Sequence, residues 1–459
     1  MRSTEELLCG WGRTAPSRAT VHELGPSELV RDGAWDRVRS GRRGVIARGL
    51  GRSYGDSAQN AGGSVVRLVR DRGTMRLDPG TGLLTVDAGV SLDEVLRHVV
   101  PRGWFVPVTP GTRYVTVGGA LASDVHGKNH HVDGTFGQHV TELTLLLADG
   151  SLRRITATGD PDLWSATVGG MGLTGVITTA TFRLLPIETS RCLVDTERVP
   201  DLETLLHRMT TGDDEYRYSV AWIDLMATGP RLGRSVLTRG DHARRRDLDG
   251  AGSVGRHGED DPLAFDPPHP TDVPVGVPNV VNGLTVRAFN ELWYRKAPTS
   301  ATSLETITGF FHPLDHVGRW NRAYGRAGFV QCQFVVPTEA TATLRHAVAR
   351  IASVGTPTFL AVLKRFGPAS AGLLSFPRPG WTLTLDLPAA APGLATLLDT
   401  LDEMVLDAGG RHYLAKDAHA TPETFRDGYP RLDEWKAIRR RVDPERRWVS
   451  DQARRLRLL

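Results

Sequence analysis

Apolar positions along the chain change period several times, and each change marks an element. Gly44 to Ala47 is a short apolar run that ends in a glycine-rich turn, as a strand entering a loop does. Leu83 to Asp87 reads as a second strand. Ser91-Leu-Asp-Glu94 has the spacing of a capping box, in which serine and glutamate each satisfy the other's backbone N–H. Val95, Leu96 and Val99 then share a face, so the spacing predicts a helix through about Val100. Thr141 to Leu147 is an apolar strand, and Ala148-Asp149-Gly150 turns it back towards Leu152 to Ile155.

The pattern shifts after about Pro186. Tyr216 to Ile223, Gln331 to Val336, Thr358 to Leu363 and Trp381 to Leu387 alternate or run apolar, as antiparallel strands do. Thr338 to Ala352 and Leu394 to Ala408 carry a helical period, and the second stops at Gly409-Gly410 as at a C-cap. The mixture predicts an α+β fold rather than a doubly wound sheet. A chain of 459 residues is too long for one ordinary core. We expect a first domain over 1–187, a second on a large antiparallel sheet over 188–415, and a segment over 416–459 that returns to the first. Residues 239–278 are rich in charge, glycine and proline, which predicts a flexible loop.

Two glycine-dense segments carry the chemistry. One is ARGLGRSYGDSAQN from Ala47, the other VTVGGALASDVHGKNHHVDGTF from Val115. Glycine lets a backbone turn tightly and approach a ligand, and successive N–H groups in such turns cradle phosphate oxygens. Two such nests suit a diphosphate with a bulky group at either end, which describes a flavin dinucleotide. Tyr54 fills the third glycine position of a Rossmann fingerprint, and no P-loop sequence occurs.

Bulk properties narrow the picture modestly. The net charge of +4 favours anionic partners only weakly, and the basic residues form no nucleic-acid motif. Cys9, Cys192 and Cys332 are too few and too scattered for a disulfide framework. No metal is expected, since His126, His130 and His131 lack the companion ligands of a zinc site. The first residues lack a secretory signal, and no apolar run approaches the ~20 residues of a spanning helix. We therefore expect a cytoplasmic protein or one peripheral to the membrane. Arg439, Arg440, Arg441, Arg446 and Arg447 would add attraction to anionic lipid if they share a face.

The two loops, with WSATVGGMGLTGVIT from Trp164, resemble the FAD-binding domain of the vanillyl-alcohol oxidase and para-cresol methylhydroxylase superfamily. GWGRTAPS, HGKNHH, FHPLD, WNRAYG, SFPRPGW, GGRHYLAKD and SDQARRLRLL extend the resemblance in order. Together they resemble the flavoprotein oxidase subunits of decaprenylphosphoryl-ribose 2-epimerases. The resemblance implies FAD held by Ala47, Arg48, Gly49, Leu50, Gly51, Arg52, Ser53, Tyr54 and Gly55 of the first loop. It implies further contacts from Gly111, Thr116, Val117, Gly118, Gly119, Ser123, Asp124, Val125, His126, Ile177 and Tyr413. The superfamily often attaches flavin through a histidine in the first loop; Arg52 and Ser53 stand there, which implies non-covalent FAD. Lys416, His126 and Tyr54 are the implied catalytic residues. Lys128, Trp222, Phe311, Gln331, Gln333, Lys364, Thr382, Thr384 and Lys416 are the implied substrate pocket.

The implied reaction is oxidation of the 2-hydroxyl of a polyprenylphosphoryl-β-D-ribose, with a separate NAD(P)H-dependent reductase completing epimerisation to the arabinose donor for cell-wall arabinan. An oxidase of a free sugar or aldonolactone, and a non-catalytic flavin-binding partner of a reductase, are the alternatives. The chain departs from the family in three places. Phe311 stands where tyrosine is common, Thr382 where asparagine is, and Thr384 where a cysteine is the target of covalent inhibitors.

Overall fold

The strand ahead of the first glycine loop forms at Val45–Arg48, at the edge of a four-stranded sheet. The order across that sheet is Arg2–Leu8, Ser17–Leu24, Ser64–Leu68, Val45–Arg48, and its last two pairings are parallel. These observations come from a computed structural model that describes residues 2–31, 33–69, 71, 75–248 and 261–459. A five-stranded antiparallel sheet follows, in the order Met75–Asp78, Leu83–Asp87, Val176–Arg183, Val140–Leu146, Leu152–Ile155. The predicted helix spans Leu92–Val99, and its capping box is formed: Glu94 N–H donates to Ser91 Oγ at 3.2 Å and Ser91 N–H to Glu94 Oε2 at 3.0 Å.

The second region is built on an eight-stranded sheet whose pairings are all antiparallel. Its inner strands are Tyr218–Ile223, Ala361–Phe366, Gly380–Pro388 and Phe329–Val336, close to the ranges the apolar alternation predicts. The mixed sheets and helices make an α+β fold with one large antiparallel sheet, as expected. Period-two alternation gives the large sheet two different faces. Ala221, Leu363, Phe334, Leu383 and Leu385 point to one side and bury against the helices Leu202–Gly212, Thr341–Val354 and Leu394–Asp407. Trp222, Lys364, Gln331 and Thr384 point to the other side, towards the glycine loops.

The C-terminal segment packs back on the first sheet. Trp435, Ile438, Leu456 and Leu458 share a core with Leu8, Val21 and Ile46. Trp448 stacks on Trp35 with ring centroids 4.8 Å apart. This corrects the idea of a basic lipid-facing patch there. Arg439 is fully buried, donating to Trp448 O at 2.7 Å, while Arg441 pairs with Asp162 and Arg447 with Glu445. The buried Trp448 carbonyl needs the Arg439 cation, so Arg439 does not belong to one free face with the other arginines.

The expected loop over 239–278 is corrected at both ends. Ser235–His242 is a sheet strand, and Arg245–Leu248 is a helical turn. Leu263 and Phe265 pack on the first core, and Thr271–Asp272 pairs with Val317–Gly318. The centre, 249–260, lies outside the described residues.

Candidate active site

The two glycine loops meet. A β-carbon on Gly49 would stand 2.3 Å from Thr116 Oγ1, and one on Gly55 would stand 1.9 Å from Asp417 O. Only glycine allows three segments to close on one another in this way. Thr116 also caps the short helix Val117–Ala122, accepting from Gly119 N–H at 3.1 Å. Tyr54 N–H donates to Ala415 O at 2.8 Å, which fastens the first loop to the segment carrying Lys416. The C-terminal helix Asp451–Arg455 clamps that segment in turn. Arg455 bridges Asp56 and Asp417 at 2.7 and 2.8 Å, and Gln452 donates to Leu414 O at 2.8 Å.

Between these loops and the large sheet lies a cavity of about 570 Å³. Every residue expected in the first loop, from Ala47 to Gly55, lines it. So do Gly111, Thr116, Gly118, Gly119, Ser123, Val125, His126, Ile177 and Tyr413, together with Lys128, Trp222, Phe311, Gln331, Lys364, Thr384 and Lys416. Four expected residues stand one layer behind the wall. Val117 is fully buried in the first core. Asp124 turns inward, where its carboxylate accepts from Gly137 N–H, Ser370 and Ser375. Gln333 and Thr382 bond to each other at 2.9 Å behind His126.

The arrangement fits FAD. Among the described residues, the N–H groups of Leu50, Gly51, Arg52 and Ser53 have no protein acceptor, although they line the cavity. A row of free donors on a tight turn is what phosphate oxygens satisfy. Gly111 has open space where its β-carbon would stand, so the wall there is bare backbone. Arg52 lies over the Trp11 ring at 3.8 Å, held at the rim.

Three lysines line the cavity, and burial works against the charge of each. Burial pushes Lys128 down to about 8 and Lys364 well below the usual lysine range, with neighbouring lysines adding to the shift in Lys364. Burial also lowers Lys416, and the charge of Asp386 opposes that shift. Burial raises the Tyr54 phenol well above its ordinary value, so Tyr54 stays protonated. Burial, with Lys364 and Lys416 nearby, keeps His126 neutral. Lys364 Nζ lies 3.1 Å from His126 Nδ1, and the Gln333 side-chain nitrogen lies 3.1 Å from His126 Nε2, so both ring nitrogens are engaged. Tyr413 donates to Ser123 O at 2.8 Å and stands 5.5 Å from the His126 ring.

Sequence reasoning missed Asp386. Its carboxyl is fully buried and accepts from Gln331 Nε2, while Oδ2 has no partner. Burial raises its pKa, with Gln331 and Lys416 pulling the other way. The signal was present in TLTLDL: Thr382, Thr384 and Asp386 recur at every second position, all on the cavity side. Phe289 and Trp293, which also line the cavity, lie on a helix that was not predicted.

Comparison with known proteins agrees with this geometry. An FAD binding domain family matches residues 33–156, and a D-arabinono-1,4-lactone oxidase family matches residues 389–456. Decaprenylphosphoryl-β-D-ribose oxidase of Mycolicibacterium smegmatis is 47% identical over 460 residues, covering 100% of this chain and 98% of the relative. An uncharacterised Streptomyces coelicolor protein is 41% identical over 379 residues, 80% of this chain and 100% of the relative. A putative D-arabinono-1,4-lactone oxidase of Neurospora crassa is 30% identical over 149 residues, 32% of this chain and 26% of the relative. The first of these spans essentially both chains, and the chain belongs to the decaprenylphosphoryl-β-D-ribose oxidase family.

Proposed function

We propose that the protein is an FAD-dependent oxidase of a polyprenylphosphoryl-β-D-ribose, forming the 2-keto sugar. The observation that carries this reading is the convergence of Lys128, Lys364 and Lys416 on the cavity that both glycine loops line. Three amines in one cavity suit a substrate that brings a phosphodiester, and they suit a neutral sugar poorly. FAD, when bound, supplies the acceptor for the two electrons and the hydrogen of the C2–H bond. Leu50 to Ser53 would hold its diphosphate, and the second loop and Tyr413 would hold its remaining length, without a covalent bond.

The protein's own groups divide the remaining work. His126 is neutral with both ring nitrogens engaged, so it orients Lys364 rather than taking a proton. Tyr54 is held protonated and acts as a donor. Lys416 Nζ lies 5.8 Å from the Tyr54 ring centre, lines the cavity, and has its proton affinity lowered by burial. Asp386 supplies a counter-charge that supports its ammonium form. A cationic Lys416 also stabilises negative charge developing at the cofactor end of the cavity.

The 2-keto product needs a separate NAD(P)H-dependent reductase to complete epimerisation to the arabinose donor for cell-wall arabinan. Among the described residues no helix is long and apolar enough to cross a membrane, and we propose that contact with the lipid-borne substrate is peripheral. The match to the lactone oxidase family over 389–456 favours one second reading, an aldonolactone oxidase. Anaerobic mixing with farnesylphosphoryl ribose, following flavin absorbance, separates the two. Bleaching is expected with that substrate and not with an aldonolactone; the reverse result overturns the proposal.

A further inference from the structure

Apart from Val286, the helix Gly283–Lys296 leaves its large apolar residues partly or largely exposed. Leu284 is 80% exposed and Leu292 68%, eight residues apart on one face. Phe289 and Trp293 are each 43% exposed, stack on each other at 6.0 Å, and also line the cavity. Val275 and Val280, on the approach to the helix, are exposed as well. The inner side is fastened by Val286 and by Asn290, which donates to Asp224 at 2.7 Å. One apolar surface therefore runs from the cavity interior, over Phe289 and Trp293, onto the outer face of a firmly seated helix. Scattered apolar residues need no explanation, but a patch continuous with a binding cavity does.

The substrate class proposed above decides what covers it. A cavity of about 570 Å³ that also receives FAD has no room for a long polyprenyl chain. The chain must leave by the mouth, and its far end lies in a bilayer. Charge points the same way. The helix carries Arg287, Arg295 and Lys296 against the single carboxylate of Glu291, and aromatic and basic residues beside an apolar stripe suit the headgroup region of anionic lipid.

We propose that the Gly283–Lys296 helix is a bilayer-docking element that sets the cavity mouth against the membrane. The polyprenyl tail then passes from lipid over Phe289 and Trp293 without crossing water. The docking role rests on the proposed oxidase reading, and the two are tested apart.

Flotation of the FAD-loaded protein with phosphatidylcholine–phosphatidylglycerol vesicles is the direct assay. Wild type should float. The Leu284→Asp/Leu292→Asp variant should lose vesicle partition by about tenfold or more, because both side chains point away from the cavity into the lipid. It should keep its FAD, its melting temperature and its turnover of farnesylphosphoryl ribose in solution, while losing turnover of a long-chain substrate held in vesicles. Arg295→Glu/Lys296→Glu should weaken partition on anionic vesicles and leave neutral ones unaffected. Wild type that stays at the bottom, or a double aspartate variant that floats equally well, overturns the proposal. So does a wild-type dimer that the aspartates dissociate, since a second copy then covers the face. Flotation that the aspartates abolish, with no flavin bleaching by either substrate, upholds the docking element and removes the oxidase reading instead.

Discussion

The two faces of the strand Gly380–Pro388 are almost equally buried, yet they do opposite things. Trp381, Leu383, Leu385 and Leu387 sink into the core beneath the helices. Thr382, Thr384 and Asp386, each no more than 3% exposed, face the cavity side. Burial alone therefore does not separate structure from function here. What separates them is partnership. The helix face is satisfied by contact, whereas each polar group opposite needs a hydrogen bond or a charge. Thr382 has Phe334 O at 2.9 Å and Gln333, and Asp386 has Gln331 and the field of Lys416. A sheet built this way anchors the cavity wall in the same backbone that holds the core.

Removing the charge at the end of that polar network should have the largest effect. Lys416→Ala should slow substrate-driven flavin reduction by about 100- to 1,000-fold, the cost of deleting one preorganised charge-stabilising group. Its melting temperature and FAD content should stay near wild type, because the segment is clamped through Arg455 and Gln452 rather than through the lysine side chain. Stopped-flow reduction under anaerobic conditions reads this directly, and a wild-type rate would remove Lys416 from the mechanism. The opposite face should respond in the opposite way. Leu383→Ala leaves a hole against the helices and should cost about 2–5 kcal/mol in denaturant unfolding. The folded fraction should keep its turnover, and a selective loss of activity would mean the two faces are not separable.

Where the sequence was legible follows from the same division. Alternation and capping are local, so the strands Leu152–Ile155 and Gly380–Pro388 and the capped helix Leu92–Val99 were readable within a residue or two. The glycine loops were readable because their need for glycine is steric and written in the residues themselves, as at Gly49 and Gly55. Asp386 was not read, because its meaning depends on Lys416 and Gln331, distant in sequence and adjacent only in the fold. The helix Gly283–Lys296 was hidden because Leu284, Val286, Phe289, Leu292 and Trp293 are spread around the helix rather than gathered on one narrow stripe, the pattern by which amphipathic helices are found. The C-terminal arginines misled for a similar reason: sequence gives their charge, but not that Arg439 is buried against Trp448.

A pH profile sharpens the polar side of the comparison by a smaller amount. Burial raises Asp386 above the usual carboxylate range and lowers Lys416 below the usual lysine range. If the pair works as carboxylate and ammonium, flavin reduction rises as Asp386 loses its proton and falls as Lys416 loses its own. The result is a bell with both limbs drawn towards neutrality. Asp386→Asn should abolish the acid limb. It should also move the alkaline limb to lower pH, because the negative charge that supports the ammonium is gone. A profile that Asp386→Asn leaves unchanged would separate this carboxyl from the reaction.

The smallest effect is a mass increment, and it tests the assignment of faces itself. Cys332 belongs to the helix-side core, 7% exposed, and burial pushes its thiol above the ordinary range. Gln331 and Gln333 flank it on the other side of the strand. A thiolate, not a thiol, is the nucleophile, so Cys332 should resist iodoacetamide in the folded enzyme, while partly exposed Cys9 reacts. Thr384 pairs with Gln333 across the sheet and lines the cavity. Thr384→Cys should therefore add one further site of alkylation, and bound substrate should protect it. Intact-mass measurement with peptide mapping counts these sites. An adduct on Cys332 in the native protein would reverse the faces of this strand and, with them, the placement of Gln331 at the cavity wall.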